Sequence, residues 1–349
     1  MSFPVRPIAL AALVVALPLT LRAQASERFT LRGERVSVWN LAGNVTVEPT
    51  SGSEVVVEVT RGGEDGRRLS VESSDDRLVV RYPDRDVIYR EVRRSNFSVR
   101  LTVNDDGTFE SGYDEMARGR SVVLRSSGGG LEAHADLRIL VPRGQRLRVM
   151  IGVGEIDASN VEGDIDLNTR VTGVTATGMK GRLAARTGSG TVRVERTDAE
   201  VVATTGSGSV ELRSVKGREV RASTGSGTVS GYEVTAERFE TSTGSGGVRV
   251  EELTAGDVRA SAGSGTIRLE MTKVADAVIR TGSGSVSLTL PPVVNVDVEI
   301  NTGSGGISTD FPVTMDGVRR RELRGRIGTG EDGRVRVTTG SGSVRLLKR

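Results

Sequence analysis

The amino-acid sequence predicts an all-β fold whose main part is a parallel β-solenoid with about 18–19 residues and two main strands in each coil. The tetrad TGSG recurs at nearly constant spacing, and a fixed short period is typical of solenoids. Apolar and polar residues alternate on both sides of each tetrad, as in strands with one buried face. The chain has 45 glycines but only 3% aromatic residues, which suits a thin aliphatic core.

Residues 1–25 have the layout of a secretory signal peptide. Arg6 precedes an apolar stretch from Ile8 to Leu21, and Ala23-Gln24-Ala25 resembles a cleavage site. This stretch has 14 residues, whereas a membrane-spanning helix needs about 20. We therefore expect export through the signal peptide to the periplasm or the extracellular space, with no transmembrane anchor in the mature chain.

Residues 26–146 predict an N-terminal β region with a less regular pattern. Alternating segments such as RVSVWN and EVVVEVTR are separated by Gly, Ser and Asp turns. Residues 84–130 break this rhythm, so we interpret them as an insertion or long hairpin that leaves the body of the solenoid.

Residues 147–349 carry the regular TGSG-repeat solenoid. Taking the first residue of each tetrad or its equivalent as the start, the coils fall at 151, 169, 187, 205, 224, 243, 262, 281, 302 and 339. Apolar residues stand two and four positions before most starts and five and seven positions after them, as in Leu183/Ala185 and Val192/Val194. The last step is close to two periods, which we attribute to a loop insertion at residues 311–333.

The tetrads are predicted to form the corners between the two strands of each coil. Glycine adopts a positive φ without steric penalty, and Thr and Ser hydroxyls can bond to neighbouring backbone or to the next coil. A phosphate-binding P-loop needs Gly-x-x-x-x-Gly-Lys-Ser/Thr between a strand and a helix, and the tetrads do not match that pattern. The glycines assigned to structural turns are Gly188, Gly190, Gly206, Gly208, Gly225, Gly227, Gly244, Gly246, Gly263, Gly265, Gly282, Gly284, Gly303, Gly305, Gly340 and Gly342.

The second turn of each coil is looser but keeps an apolar residue near its middle. We interpret these residues as plugs that close the open side of the coil and form a short third face. They are Val161, Val215, Val234, Leu253 and Val274.

Composition excludes several classes of site. The chain has no cysteine, which excludes disulfides and thiolate chemistry. Removing residues 1–25 lowers the formal net charge from +3 to +1, so we predict no nucleic-acid partner. His134 is the only histidine, and we interpret it as an ordinary strand residue. We therefore predict no catalytic residue, no cofactor and no metal site.

The densest cluster of like charge lies in the run VRRRELRGR. In an exported protein, guanidinium groups on a loop can hold phosphate or carboxylate groups of glycans or lipid headgroups. The alternative is a solvated loop. The candidate anion-binding patch consists of Arg319, Arg320, Arg321, Arg324 and Arg326.

Four stretches together resemble the DUF4097 family of exported β-strand-repeat proteins, whose members are often labelled adhesins. They are RVSVWNLAGNVTVEP, LRILVPRGQRLRVMIGVGEIDASNVEGDIDLNT, the run of TGSG coils, and IGTGEDGRVRVTTGSGSVRL. The resemblance covers nearly all of the mature chain. It implies a β-solenoid in the bacterial cell envelope or outside the cell, related to Lia-type proteins of envelope stress, and it supplies no catalytic residues.

Three functional hypotheses follow. The first is a non-enzymatic, exported, adhesin-like or envelope-associated solenoid that serves as a binding or scaffolding surface for a protein, a glycan or a lipid headgroup. The second is a carbohydrate-active enzyme on a β-helix scaffold, which a groove with two or more acids and an Arg or Lys would favour. The third is a self-assembling envelope structural protein that pairs through its exposed end strands.

Overall fold

The computed structural model describes residues 26–92, 96–110, 119–273, 276–319 and 321–349. The predicted signal peptide, residues 1–25, lies outside the described residues. The part of the chain that is described forms β-strands and one 3-10 turn at Gly66–Arg68, with no α-helix. Within it, no helix has the length and hydropathy needed to cross a membrane.

The N-terminal strands are β1 (Ser26–Leu31), β2 (Arg35–Ala42), β3 (Val45–Thr50), β4 (Val55–Gly62), β5 (Ser70–Ser73), β6 (Arg77–Arg81), β7 (Asp86–Ile88), β8 (Ser98–Val103), β9 (Arg120–Arg125), β10 (Leu131–Glu132) and β11 (His134–Pro142). The strands of the repeat are β12 (Gln145–Val153), β13 (Ile156–Ser159), β14 (Glu162–Val171), β15 (Val174–Thr177), β16 (Lys180–Ser189), β17 (Val192–Ser207), β18 (Val210–Ser226), β19 (Val229–Thr243), β20 (Val248–Ala262), β21 (Ile267–Lys273), β22 (Asp276–Thr281), β23 (Val286–Leu290), β24 (Val296–Thr302) and β25 (Ile307–Thr309). The last four are β26 (Thr314–Arg319), β27 (Glu322–Ile327), β28 (Gly333–Thr339) and β29 (Val344–Lys348).

The strands stack into two long faces, which confirms the predicted parallel β-solenoid. Face 1 holds the strands that precede a corner, in the order β5-β6-β2-β12-β14-β16-β17-β18-β19-β20-β22-β28-β24-β27-β26. Face 2 holds those that follow it, in the order β1-β4-β11-β3-β13-β15-β17-β18-β19-β20-β21-β23-β29-β25. The long strands β17 to β20 belong to both faces. They bend at a residue with φ between +47° and +57°, namely Arg196, Ser214, Glu233 or Glu252.

The core is the aliphatic layer between the two faces. The residues predicted to point inward are buried, except that Ile307 and Thr309 of the coil at the C-terminal end of the stack are half-buried. The plug residues Val161, Val215, Val234 and Leu253 are also buried. Val274 lies outside the described residues, and Met271 pairs with Leu253 in that column.

Glycine occurs at the corners because the backbone of the neighbouring coil lies too close for a side chain, and not because most corners need a positive φ. Of the sixteen predicted turn glycines, only Gly190 and Gly208 have φ in the left-handed range, at +142° and +146°. At every one of the sixteen, a Cβ atom would lie 1.6–2.7 Å from a carbonyl oxygen of an adjacent coil. Backbone approach therefore explains the repeat of glycine better than the positive φ that the sequence suggested.

The corner threonines tie successive coils together. The hydroxyl groups of Thr205, Thr224 and Thr243 donate hydrogen bonds of 2.9–3.0 Å to the carbonyl oxygens of the last tetrad glycine one coil earlier. This is the bonding between coils that the sequence suggested for the tetrad hydroxyls. Ala262 in the AGSG tetrad has no hydroxyl to continue this row.

The last coil of the chain does not lie at the end of the stack but is inserted between two earlier coils. Strands β28 and β29 lie between β22/β23 on one side and β24/β25 on the other. The antiparallel hairpin of β26 and β27 then covers the far edge of β24. Pro291 and Pro292 lack an N–H group, so the chain leaves the hydrogen-bond ladder there. The longer connection after them spans two coil spacings of about 4.8 Å each.

The N-terminal region shares the same core. Strands β2 and β3 stack on β12 and β13, and β6 and β11 form the next coil outward. A separate four-stranded sheet, in the order β10-β7-β9-β8, occupies the chain between β6 and β11. It packs on face 1, because a Cβ at Gly152 would lie 2.6 Å from Leu124 and 3.0 Å from Leu101. The predicted division at residue 146 stays a prediction, since the sheets continue across it.

We expect Thr241→Val to stabilise the fold and Thr243→Val to destabilise it. Both side chains are buried, but the Thr241 hydroxyl has no hydrogen-bond partner among the described residues, whereas Thr243 donates to Gly227 O. Removing an unpaired buried hydroxyl should gain about 1 kcal/mol, and removing a paired one should lose about the same. Urea unfolding of the two variants tests this pair. Shifts of the same sign would contradict it.

Candidate functional site

A shallow groove on face 2 surrounds the exposed ring of Tyr232. In β19 the alternation places Val229 and Gly231 inward and Ser230 and Tyr232 outward, and the strand bends at the next residue, Glu233. Tyr232 is 48% exposed, although most aromatic side chains of the described chain are buried or half-buried. The groove has a volume of about 390 Å³.

Charged residues of both signs flank this ring. Arg213 and Glu251 occupy the register positions beside Tyr232 on β18 and β20. Arg249 donates to Glu251 at 2.8 Å, while Arg213 forms no ion pair within the described ranges. The groove therefore combines an aromatic face with an uncompensated guanidinium group, a pair that suits a sugar ring bearing an acidic group.

The acids of the groove are structural partners of arginines. Glu211 accepts from Arg193 at 2.9 Å, and Glu195 lies 3.3 Å from Arg196. None of these carboxylates lies in an apolar pocket of the kind that makes a carboxyl group a general acid. The groove thus has the acids and arginines that the enzyme hypothesis required, but each of these acids is paired with an arginine.

The predicted arginine patch is only partly within the described residues. Arg320 lies outside them, and the side chain of Arg319 is not described. Arg321 is exposed at the hairpin turn, and Arg324 lies 2.7 Å from Glu322 and 3.3 Å from Glu299. Two acids therefore share the charge of Arg324, which weakens the patch as an anion site. The assignment stays a prediction.

We expect the ion pairs of Glu299 to lose their stabilising effect in acid. The hydrogen bond from Arg336, followed by the charges of Arg336, Arg324 and Arg334, holds the pKa of Glu299 below its usual range. Such a group stabilises the fold above its unfolded pKa, about 4.3, and loses that contribution as the pH falls through its folded pKa. The free energy of unfolding of Glu299→Gln should be lower than wild type at neutral pH by no more than about 1 kcal/mol. The difference should shrink progressively as the pH falls below about 4.3 and through the lowered folded pKa, and a constant difference across the acid range would contradict the assignment.

Two further groupings were not found from the sequence. Tyr232 is detectable in principle, because it is the only tyrosine of the repeat and falls at an outward position. The second grouping brings Glu91, His134 and Asp136 together, although the sequence pattern indicated no metal ligand. One ligand atom from each lies within 4.8 Å of the others.

The described chain is thus a β-solenoid that presents long polar faces, with one aromatic groove on face 2. It matches the family model Toastrack DUF4097 over residues 34–347 and belongs to that family, which confirms the resemblance inferred from the sequence motifs. No curated protein matches the chain.

Several solved structures are similar. A "putative adhesin" from Parabacteroides merdae is 11% identical, with 93% of this chain and 95% of that chain covered and a TM-score of 0.37. A "putative adhesin" from Bacteroides fragilis is 11% identical, with coverages of 93% and 96% and a TM-score of 0.36. A "putative cell adhesion protein" from Clostridium sporogenes is 8% identical, with coverages of 93% and 99% and a TM-score of 0.23. At these identities and TM-scores we draw no functional conclusion from the likeness.

Proposed function

We propose that the protein is a non-enzymatic, exported, adhesin-like component of the cell envelope, and that face 2 is its binding surface. The observation that carries the proposal is the groove around Tyr232. An exposed tyrosine on a rigid sheet offers contact area at small entropic cost, and Arg213 beside it, which has no ion pair among the described residues, supplies a charge for the ligand.

An acidic glycan of the envelope fits this groove best. The ring of Tyr232 stacks on the apolar side of a sugar, and Arg213 binds a carboxylate or phosphate group on it. The periodic rows of outward polar side chains then add many weak contacts along the face. The candidate anion-binding patch on the hairpin of β26 and β27 remains a second candidate surface for the same chemistry.

The enzyme hypothesis has less support. Catalysis on a glycan needs an acid held protonated by its surroundings beside a second carboxylate. In the groove, Glu195, Glu211 and Glu251 each have an arginine partner and face solvent. Self-assembly through the end strands β25, β1 and β5 is also less supported, because β25 has only three residues and β1 and β5 are mostly exposed and charged or polar.

A pull-down of the mature protein against fractionated envelope components tests the proposal. We expect Tyr232→Ala and Arg213→Gln each to reduce capture of a glycan fraction at least about tenfold, as expected for an aromatic anchor and its charged neighbour. Arg345→Gln is the matched control, because Arg345 is also exposed on face 2 but lies four coils from Tyr232.

A third variant, with Arg319, Arg320, Arg321, Arg324 and Arg326 replaced by glutamine, separates the two candidate surfaces. Normal capture by this variant and loss by the groove variants would support the groove. Loss only with the arginine variant would move the binding surface to the hairpin. Unchanged capture by all variants would overturn the proposal.

A further inference from the structure

Glu91, His134 and Asp136 meet where the chain passes from the inserted four-stranded sheet, which packs on face 1, to β11 of face 2. His134 and Asp136 are two residues apart on β11, so both side chains point outward from the solenoid. Glu91 follows β7 of the inserted sheet, and its Oε1 lies 3.3 Å from Nε2 of His134. The cluster thus joins two separate sheets.

The surroundings hold these groups in position. Gly62 of β4 pairs with His134 of β11. A Cβ at Gly62 would lie 2.3 Å from Nε2 of His134, so the glycine leaves room for the imidazole. The ring of Tyr89 packs against the imidazole at a centroid distance of 5.2 Å. The backbone N–H of Asn44 donates to Oδ1 of Asp136 at 2.8 Å, which fixes that carboxylate and leaves Oδ2 for another partner. Outer contacts of this kind orient the ligands of metal sites.

The cluster carries an excess of negative charge. Among the described residues, Glu91 has an ion pair only with His134, and Asp136 and Glu155 have none. Glu155 lies beside the cluster, because its backbone N–H donates to Oδ1 of Asn44 at 3.1 Å and the backbone N–H of Asn44 donates to Asp136.

We propose that Glu91, His134 and Asp136 bind a divalent transition-metal cation that clamps the inserted sheet to face 2. One imidazole nitrogen and two carboxylate oxygens suit Zn²⁺ or Mn²⁺, whereas Ca²⁺ takes about six to eight oxygen ligands. The ligand atoms lie within 4.8 Å of one another, and a tetrahedral Zn²⁺ site needs about 3.4 Å. Oε1 of Glu91 already lies 3.3 Å from Nε2 of His134, and the Glu91 side chain is 51% exposed, which leaves it room to adjust around a bound cation.

The single histidine makes a direct test possible. The untagged protein, labelled with ¹⁵N only in its histidine ring, gives one set of imidazole signals, and Zn²⁺ is added at neutral pH while they are followed by NMR. We expect the Nε2 resonance to shift and saturate at one Zn²⁺ per chain. Isothermal titration calorimetry should give the same stoichiometry, and Mg²⁺ and Ca²⁺ should bind at least about tenfold more weakly.

Glu91→Gln and Asp136→Asn keep the shape of each ligand but remove its charge. Each should weaken Zn²⁺ binding about tenfold or more and abolish the rise in melting temperature caused by Zn²⁺. Glu237→Gln is the control, because this exposed glutamate lies far along the solenoid in β19. An Nε2 resonance that does not respond to Zn²⁺, or Glu91→Gln and Asp136→Asn binding like wild type, would overturn the proposal.

Discussion

Replacing Gly265 by alanine is expected to destabilise the protein by about 3 kcal/mol or more. A Cβ at this position would lie 1.6 Å from the carbonyl oxygen of Gly246 in the adjacent coil, and backbone atoms cannot move aside as a flexible side chain can. The two coils would have to separate at the corner, which would break the hydrogen bonds of the ladder on both faces. Urea unfolding at constant temperature measures the loss.

Gly306→Ala is the matched control for this experiment. Gly306 directly follows a TGSG tetrad and has φ outside the left-handed range, and a Cβ at this position would meet no atom within 4 Å. We expect the free energy of unfolding of this variant to stay within about 0.5 kcal/mol of wild type. Equal losses in the two variants would show that glycine is needed at these corners for flexibility rather than for close stacking.

The corners show how far sequence reasoning reaches. The spacing of the tetrads predicts where the chain turns, because the phase of the apolar positions on each side fixes two strands around each tetrad. It does not reveal why glycine recurs. Only Gly190 and Gly208 use a left-handed φ, and the shared reason is the approach of stacked backbones, which depends on the neighbouring coil.

The order in which the coils stack could not be predicted from the sequence, because it too depends on the neighbouring coil. The inward columns are local properties of each strand, and they were predicted. The intercalation of β28 and β29 depends on which edges pair after the chain leaves the ladder at Pro291, and every coil presents a nearly identical edge. Repeated sequences specify coil geometry strongly and coil order weakly.

The candidate sites also divide into one that the local sequence pattern can predict and others that depend on how distant strands pair. Tyr232 could be found from alternation alone. The pairing of Arg324 with Glu299 requires knowledge that β27 lies antiparallel to β24. The cluster at His134 requires the docking of an inserted sheet, which brings Glu91 beside a residue 43 positions later.

Truncation after Gly330 is expected to unfold the C-terminal end of the stack. In a solenoid that stacks in chain order, losing the last coil would remove only one end. Here the deletion removes β28 and β29 from between two other coils. Burial of the side chains of Val335, Val337, Val344 and Leu346 contributes about 6–12 kcal/mol in the intact protein. Since that is comparable to the total stability of most proteins, about 5–15 kcal/mol, we expect loss of cooperative unfolding by circular dichroism and loss of amide protection in β22.

A pair of point variants tests the same topology without a deletion. Ile307 and Val344 occupy equivalent inward positions, but Ile307 is half-buried in the end coil and Val344 is fully buried in the intercalated one. Val344→Ala should therefore cost about 2 kcal/mol, and Ile307→Ala should cost less than that although it removes more carbon atoms. If residue 344 instead lay in the end coil, the order of the two losses would be reversed, because the larger side chain would then be the better buried one.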